Sequence, residues 1–153
     1  MIHAEFLFDT ALHNRSLERQ ARSILQKASR LARVKNTDID VTITNDARMK
    51  KLNNAYRGKR TSTDVLSFAM RESKPFPRIR CSREHLGDIF INVNEIKRRA
   101  KKLRVSQKDI FLFLLVHGFL HLAGFDHMKT GEERRMRALE HTICEGRVFY
   151  DHP

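Results

Sequence analysis

His117-Gly118-Phe119-Leu120-His121-Leu122-Ala123-Gly124-Phe125-Asp126-His127 is the stretch on which the reading of this chain turns. Residues 117 and 121 are four apart, so on a helix both imidazoles project from one face, one turn apart. Gly124 can take the left-handed conformation that ends a helix and turns the chain back. The turn then delivers His127 towards the same point from a third direction. Three neutral imidazoles with one position left open are the ligand set of a catalytic zinc ion, not of a closed structural one. Zinc in such a site lowers the pKa of its water to about 7. Nickel and other metals that favour imidazole suit the same donors. The expectation is one Zn2+ ion on His117, His121 and His127; the competing view is three unrelated histidines on a partly buried helix.

The spacing is that of the metzincin pattern, with one difference. A zinc protease carries a glutamate general base directly after the first histidine, and this chain has Gly118 there. Without that carboxylate no local group deprotonates the attacking water. Peptide hydrolysis is therefore the weaker reading.

Working outward, Ser106 and Asp109 form a capping-box-like pair, so the histidine-bearing helix runs from Ile110 to about Leu122. Thr130, with Glu133 at the capping-box position, predicts a last helix reaching about Gly146; His141 lies on it, more in the manner of a surface or core histidine than of a ligand. Upstream, Ile2 to Phe8, Ile39 to Thr44, Val65 to Ala69 and Leu86 to Asn92 alternate or are β-branched and read as strands. Ser16 is placed to cap a helix whose apolar residues are Leu17, Ala21, Ile24, Leu25, Ala28, Leu31 and Ala32. Asp46 to Tyr56 reads as a short helix with Met49 and Leu52 inward. Another opens at Asn92 or Asn94, with Ile96, Ala100 and Leu103 on its buried side. A loop with Pro75 and Pro77 separates the last two strands. Four strands and about five helices without strict alternation predict one α+β domain over residues 1–153.

Composition narrows the partners. A chain of 153 residues, 41% of them apolar, buries a core without staples. Its longest apolar run, Ile110 to Val116, is far too short to cross a membrane. Met1-Ile2-His3-Ala4-Glu5 lacks the basic start and apolar stretch of a secretory signal, and Cys81 and Cys144 have no CxxC spacing; a reducing, cytoplasmic location is expected. Thirty Lys and Arg against eighteen Asp and Glu give +12 and a pI near 10.3. That excess favours an acidic partner, nucleic acid first. The cations fall in groups: Lys97, Arg98, Arg99, Lys101, Lys102 and Arg104; Arg57, Lys59 and Arg60; and Arg78, Arg80 and Arg83. Solvated helix faces are the plainer explanation of the same groups.

The histidine stretch, together with Tyr56-Arg57-Gly58, Thr63-Asp64-Val65-Leu66-Ser67-Phe68 and Leu86-Gly87-Asp88-Ile89, closely resembles the bacterial YbeY family of rRNA-maturation endoribonucleases. The order and separations of these segments agree as well, from about residue 40 to residue 130. The resemblance implies a zincin-like α+β fold with a mixed sheet of about four strands, its metal on a central helix and the turn after it. It implies zinc on His117, His121 and His127, with His117 and Arg57 as the catalytic positions. It further implies single-strand-specific RNA cleavage in maturing the 3′ end of 16S rRNA, a part in ribosome quality control, and ribosomal proteins as partners.

A guanidinium near the metal can grip a phosphate bidentately and stabilise charge on its oxygens; Arg57 can equally be an exposed turn arginine beside Gly58. Asp64 and Asp88 are candidates to orient a ligand imidazole, or else caps or core hydrogen-bond partners, the more ordinary role. Asp126 either positions the turn or accepts a proton. The chain also departs from the family: Phe125 stands where tyrosine is frequent, removing a hydroxyl near the metal, Ala69 stands where proline is common, and the net charge is high. Two other readings remain, a ribosome-assembly factor whose zinc is mainly structural, and a metal-dependent hydrolase of peptides or small molecules.

Overall fold

The computed structural model describes residues 1–9, 14–70, 83–126 and 128–150. In chain order the elements are β1 (Ile2–Phe8), α1 (Arg15–Leu31), β2 (Thr37–Thr44), α2 (Asp46–Arg57), β3 (Val65–Ala69), β4 (Glu84–Asn92), α3 (Val93–Leu103), α4 (Gln107–Leu122) and α5 (Thr130–Ile143). The sheet order is β1-β2-β4-β3. The first two pairings are parallel and β3 runs antiparallel to β4, so the sheet is mixed and β3 is an edge strand. The expected α+β architecture is the one observed.

α4 organises the interior. Its sequence is apolar on every side, which suits a helix surrounded by protein and no other position. Ile110, Phe111, Phe113, Leu114, Leu115, Val116, Phe119, Leu120 and Leu122 are all buried. The helix lies against β3 and β4 and is flanked by α1, α3 and α5. The Ser106 hydroxyl accepts from the Asp109 backbone N–H at 3.0 Å, the cap expected from sequence. Gly124, with φ of 93°, follows the helix end in the left-handed region that favours glycine.

Several expected boundaries move, for physical reasons. α1 is capped by Asn14, not Ser16: the Asn14 carboxamide accepts from the Ser16 and Leu17 N–H groups at 2.8 and 3.4 Å. α5 has no side-chain cap at Lys129; Glu133 pairs forward with Arg137 at 2.8 Å instead of closing a capping box. That helix stops at Ile143, before Glu145 and Gly146 turn left-handed. Leu31 and Leu103 are 42% and 43% exposed, because each is the last residue of its helix and lies beyond the packed face. The loop bearing Pro75, Pro77, Arg78, Arg80 and Cys81 lies outside the described residues.

Among the described residues no helix is long and apolar enough to cross a membrane. The basic groups are not all surface: Arg99 is 6% exposed and Arg98 is engaged by Asp46 and Glu95. Lys97, Lys101, Lys102 and Arg104 are exposed.

Candidate metal centre

Helical spacing does for His117 and His121 what the sequence requires. Their Nε2 atoms lie 3.2 Å apart, with the rings nearly perpendicular at 79°. Two ligand nitrogens about 2.0–2.1 Å from a tetrahedral zinc lie roughly 3.3 Å from one another. The observed separation is therefore that of two corners of such a site, and these residues fit the ion. His127, the third expected ligand, lies outside the described residues.

His117 is held from behind. Its Nδ1 lies 2.6 Å from Glu140 Oε1, and the Glu140 side chain is 1% exposed. An ionised carboxylate only accepts, so Nδ1 carries the proton and the Nε2 lone pair faces outward. Glu140 in turn accepts from the Tyr150 hydroxyl through Oε2. Burial, and then that hydrogen bond, raise the Tyr150 phenol above its ordinary value. Nothing in the sequence singles out either residue. Glu140 reads as one of several charged residues on an amphipathic helix, and nothing local says that its turn of α5 packs under α4.

The two candidates for an orienting carboxylate do other work. Asp64 accepts from the Val65 N–H at 2.7 Å and from the Arg99 guanidinium at 2.6 Å. Arg99 also donates to the Phe149 carbonyl, tying the segment after α5 to the same place. Asp88 neighbours Ile89, whose Cγ2 faces Gly118 on α4. Alternation then turns Asp88 to the opposite sheet face, away from the histidines. There it joins Asp40 and His85 in a group whose ligand atoms lie within 4.8 Å of one another, a second set of donors with cation-holding chemistry. Asp40 is exposed and the other two are part-buried.

A cavity of about 620 Å³ opens over the histidine pair. His117, His121, Phe125 and Asp126 line it, with Arg57 and Asp64, Val65, Ser67 and Ala69 from the β3 side and Glu132 from α5. Arg57 ends α2, and Gly58 stops the helix with φ of 66° and its N–H on Asn54. Beyond it the chain is bolted down. The Asn53 carboxamide donates to the Thr61 carbonyl, and buried Asn92 donates to Asp46, Ser62 and Thr63 at 2.7, 2.9 and 3.1 Å. Asp126 accepts from the Met128 N–H at 3.1 Å, the turn-positioning role of the two considered. His141 is exposed and does not line the cavity.

Gly118 explains the missing protease glutamate sterically. A Cβ there would sit 2.9 Å from Ile89 Cγ2, 3.1 Å from Ser67 Oγ and 3.3 Å from Val65 Cγ2. α4 approaches the sheet so closely that position 118 has no room for a carboxylate side chain.

The chain is similar to known proteins. The family model described as Endoribonuclease YbeY matches residues 7–147. An Endoribonuclease YbeY of Limosilactobacillus reuteri is 38% identical over 143 residues, covering 88% of this chain and 89% of the relative. Another, from Persephonella marina, is 33% identical over 141 residues, covering 91% and 90%. The solution structure of a Thermotoga maritima protein has the same fold, with a TM-score of 0.63 at 22% identity over 96% of this chain and 89% of the other.

Proposed function

Since the chain belongs to the YbeY endoribonuclease family, we propose that it is a zinc-dependent endoribonuclease. Its substrate is single-stranded RNA, at the 3′ end of small-subunit rRNA, and it works with the ribosome in rRNA maturation and quality control. The observation that carries this reading is the convergence of the His117 and His121 Nε2 atoms, 3.2 Å apart, in a cavity lined also by Arg57. His127 completes the proposed ligand set.

When bound, the ion supplies Lewis acidity at a phosphoryl oxygen and activates water. The chain does the rest. Arg57 holds the scissile phosphate bidentately and balances the charge that builds on its oxygens. Glu140 holds the His117 ring in one tautomer and orientation. Of the carboxylates lining the cavity, Asp64 is engaged by Arg99 and Asp126 by the Met128 N–H. Glu132 has no hydrogen bond or ion pair among the described residues, and we assign it the nucleophile's proton. The nucleophile is water or the neighbouring 2′-hydroxyl, and a 2′,3′-cyclic phosphate product identifies the second. The exposed cations of α3, together with Lys59 and Arg60, supply phosphate contacts away from the scissile bond.

The test measures zinc content and cleavage of a structured RNA with a single-stranded 3′ end, on wild type and His121→Ala. Near-stoichiometric zinc and cleavage in wild type, both lost in a folded variant, is the expected result. Zinc without cleavage in wild type would replace the enzyme by an RNA-binding assembly factor.

A further inference from the structure

Tyr56 is 68% exposed, and it is the one exposed residue among the described phenylalanines and tyrosines. Its ring is nevertheless packed against a neighbour. It lies 4.7 Å from the Phe68 ring, Phe68 meets Phe90 edge-on at 5.8 Å, and the Arg48 guanidinium covers Phe90 at 5.7 Å. The ring thus leans, at 50° to Phe68, on an aromatic cluster that runs back into the sheet, while most of its surface meets water. A lone exposed hydrophobe needs no explanation, but the surroundings of this one are specific. Arg57, the next residue, lines the cavity. Lys59 and Arg60 follow, both exposed and without an acidic partner among the described residues.

The edge strand β3 relates the two places. Val65, Ser67 and Ala69 line the cavity, so alternation puts Phe68, and Tyr56 upon it, on the other side of the same strand. Consecutive Cα atoms are about 3.8 Å apart. A polynucleotide with one phosphate at Arg57 that continues over the strand edge passes the exposed ring of the preceding residue, Tyr56. A rigid aromatic face interleaved with cations is the arrangement by which proteins hold single strands without reading their sequence.

We propose that Tyr56 is a nucleobase-stacking platform that holds the RNA strand where it crosses β3 beside Arg57. The inference rests on the RNA-cleaving reading above and adds to it a subsite for a base next to the scissile phosphate. Its chemistry predicts preference for an unpaired nucleotide there, because a base already stacked in a duplex has no free face to offer.

The test uses the full, zinc-loaded chain and a fluorescein-labelled 12-nucleotide RNA, titrated on ice with RNA integrity checked on a gel. Tyr56→Ala weakens RNA binding about tenfold, and Tyr56→Phe keeps it within about twofold, because base–aromatic stacking contributes about 1–3 kcal/mol per base. Zinc content stays unchanged in both, and Tyr56→Ala lowers the melting temperature only slightly, by the loss of the Phe68 contact. The chain contains no tryptophan, so Tyr56→Trp introduces a single indole reporter. RNA quenches it, while an abasic oligonucleotide with the same phosphates binds with little quenching. Equal RNA binding by wild type and Tyr56→Ala, or equal quenching by the abasic strand, overturns the platform and leaves the nuclease reading standing. No RNA binding by wild type overturns both.

Discussion

Replacing Glu140 by glutamine isolates the charge behind His117. The amide is nearly isosteric with the carboxylate: its oxygen still accepts from the Nδ1–H now 2.6 Å away, and the Tyr150 hydroxyl can turn to accept from its nitrogen. What disappears is one negative charge on a side chain only 1% exposed. A hydrogen bond to a charged group contributes about 1.5–3 kcal/mol and a neutral one about 0.5–1.5. The difference of about 1–1.5 kcal/mol falls mainly on the metal-bound state, where the imidazole must donate electron density. That is roughly a tenfold loss of zinc affinity, at the lower end of the range of about 10–100-fold for partners of metal-ligating histidines. Competition against a chromophoric zinc chelator at pH 7.5 measures it, alongside the melting temperature of the metal-free proteins. Glu140→Ala is the contrasting variant. It leaves the Tyr150 O–H and the His117 N–H without their acceptor, and metal-free stability falls by about 2–4 kcal/mol. Zinc affinity of Glu140→Gln within twofold of wild type, with an unchanged metal-free melting temperature, would refute the reasoning.

Gly118→Ala forces a methyl against Ile89 and Ser67 at 2.9 and 3.1 Å. The overpacking cost of about 1–3 kcal/mol outweighs the gain of about 1 kcal/mol in helix propensity, so urea unfolding shows net destabilisation; a more stable variant contradicts the packing account. Arg99→Met strands the Asp64 carboxylate, which is 21% exposed on its side chain, and lowers unfolding free energy by about 3 kcal/mol, whereas Arg98→Met, more than half exposed, changes it far less. Alkaline pH loosens the fold. Burial pushes the Cys144 thiol from 9.0 up to about 12, and burial with the Glu140 hydrogen bond raises the Tyr150 phenol above 10.0. Both groups hold their protons more tightly when folded. Their stability contributions are therefore complete below the unfolded values and are lost as pH climbs through the folded ones. Urea midpoints of wild type should fall more between pH 8 and pH 11 than those of Cys144→Ala with Tyr150→Phe; parallel falls would sink this.

What the sequence by itself determined is whatever depends on neighbours along the chain. The i, i+4 spacing of His117 and His121 needs only a helix to bring their Nε2 atoms together. The alternation in β1 and β2 needs only a sheet, and the all-round apolarity of α4 already states that it lies inside. Ser106 caps as read because a cap reaches no further than three residues. The misreading at Ser16, where Asn14 caps instead, is a local competition between near-equal candidates, where a residue or two decides.

Tertiary packing decided the rest. Glu140 meets His117 across 23 residues and Arg99 meets Asp64 across 35. Asn92 joins Asp46, Ser62 and Thr63 through a carboxamide with no sequence signature. Asp88 reads from sequence as a ligand-orienting carboxylate or, more ordinarily, as a cap or core partner, and alternation along β4 turns it to the far face of the sheet. Glu140 looked like one helix charge among several, and only the packing of α5 under α4 makes it the residue that holds His117. A periodicity specifies which face of an element is buried; it does not say which element covers that face, and that pairing is what assembles the site.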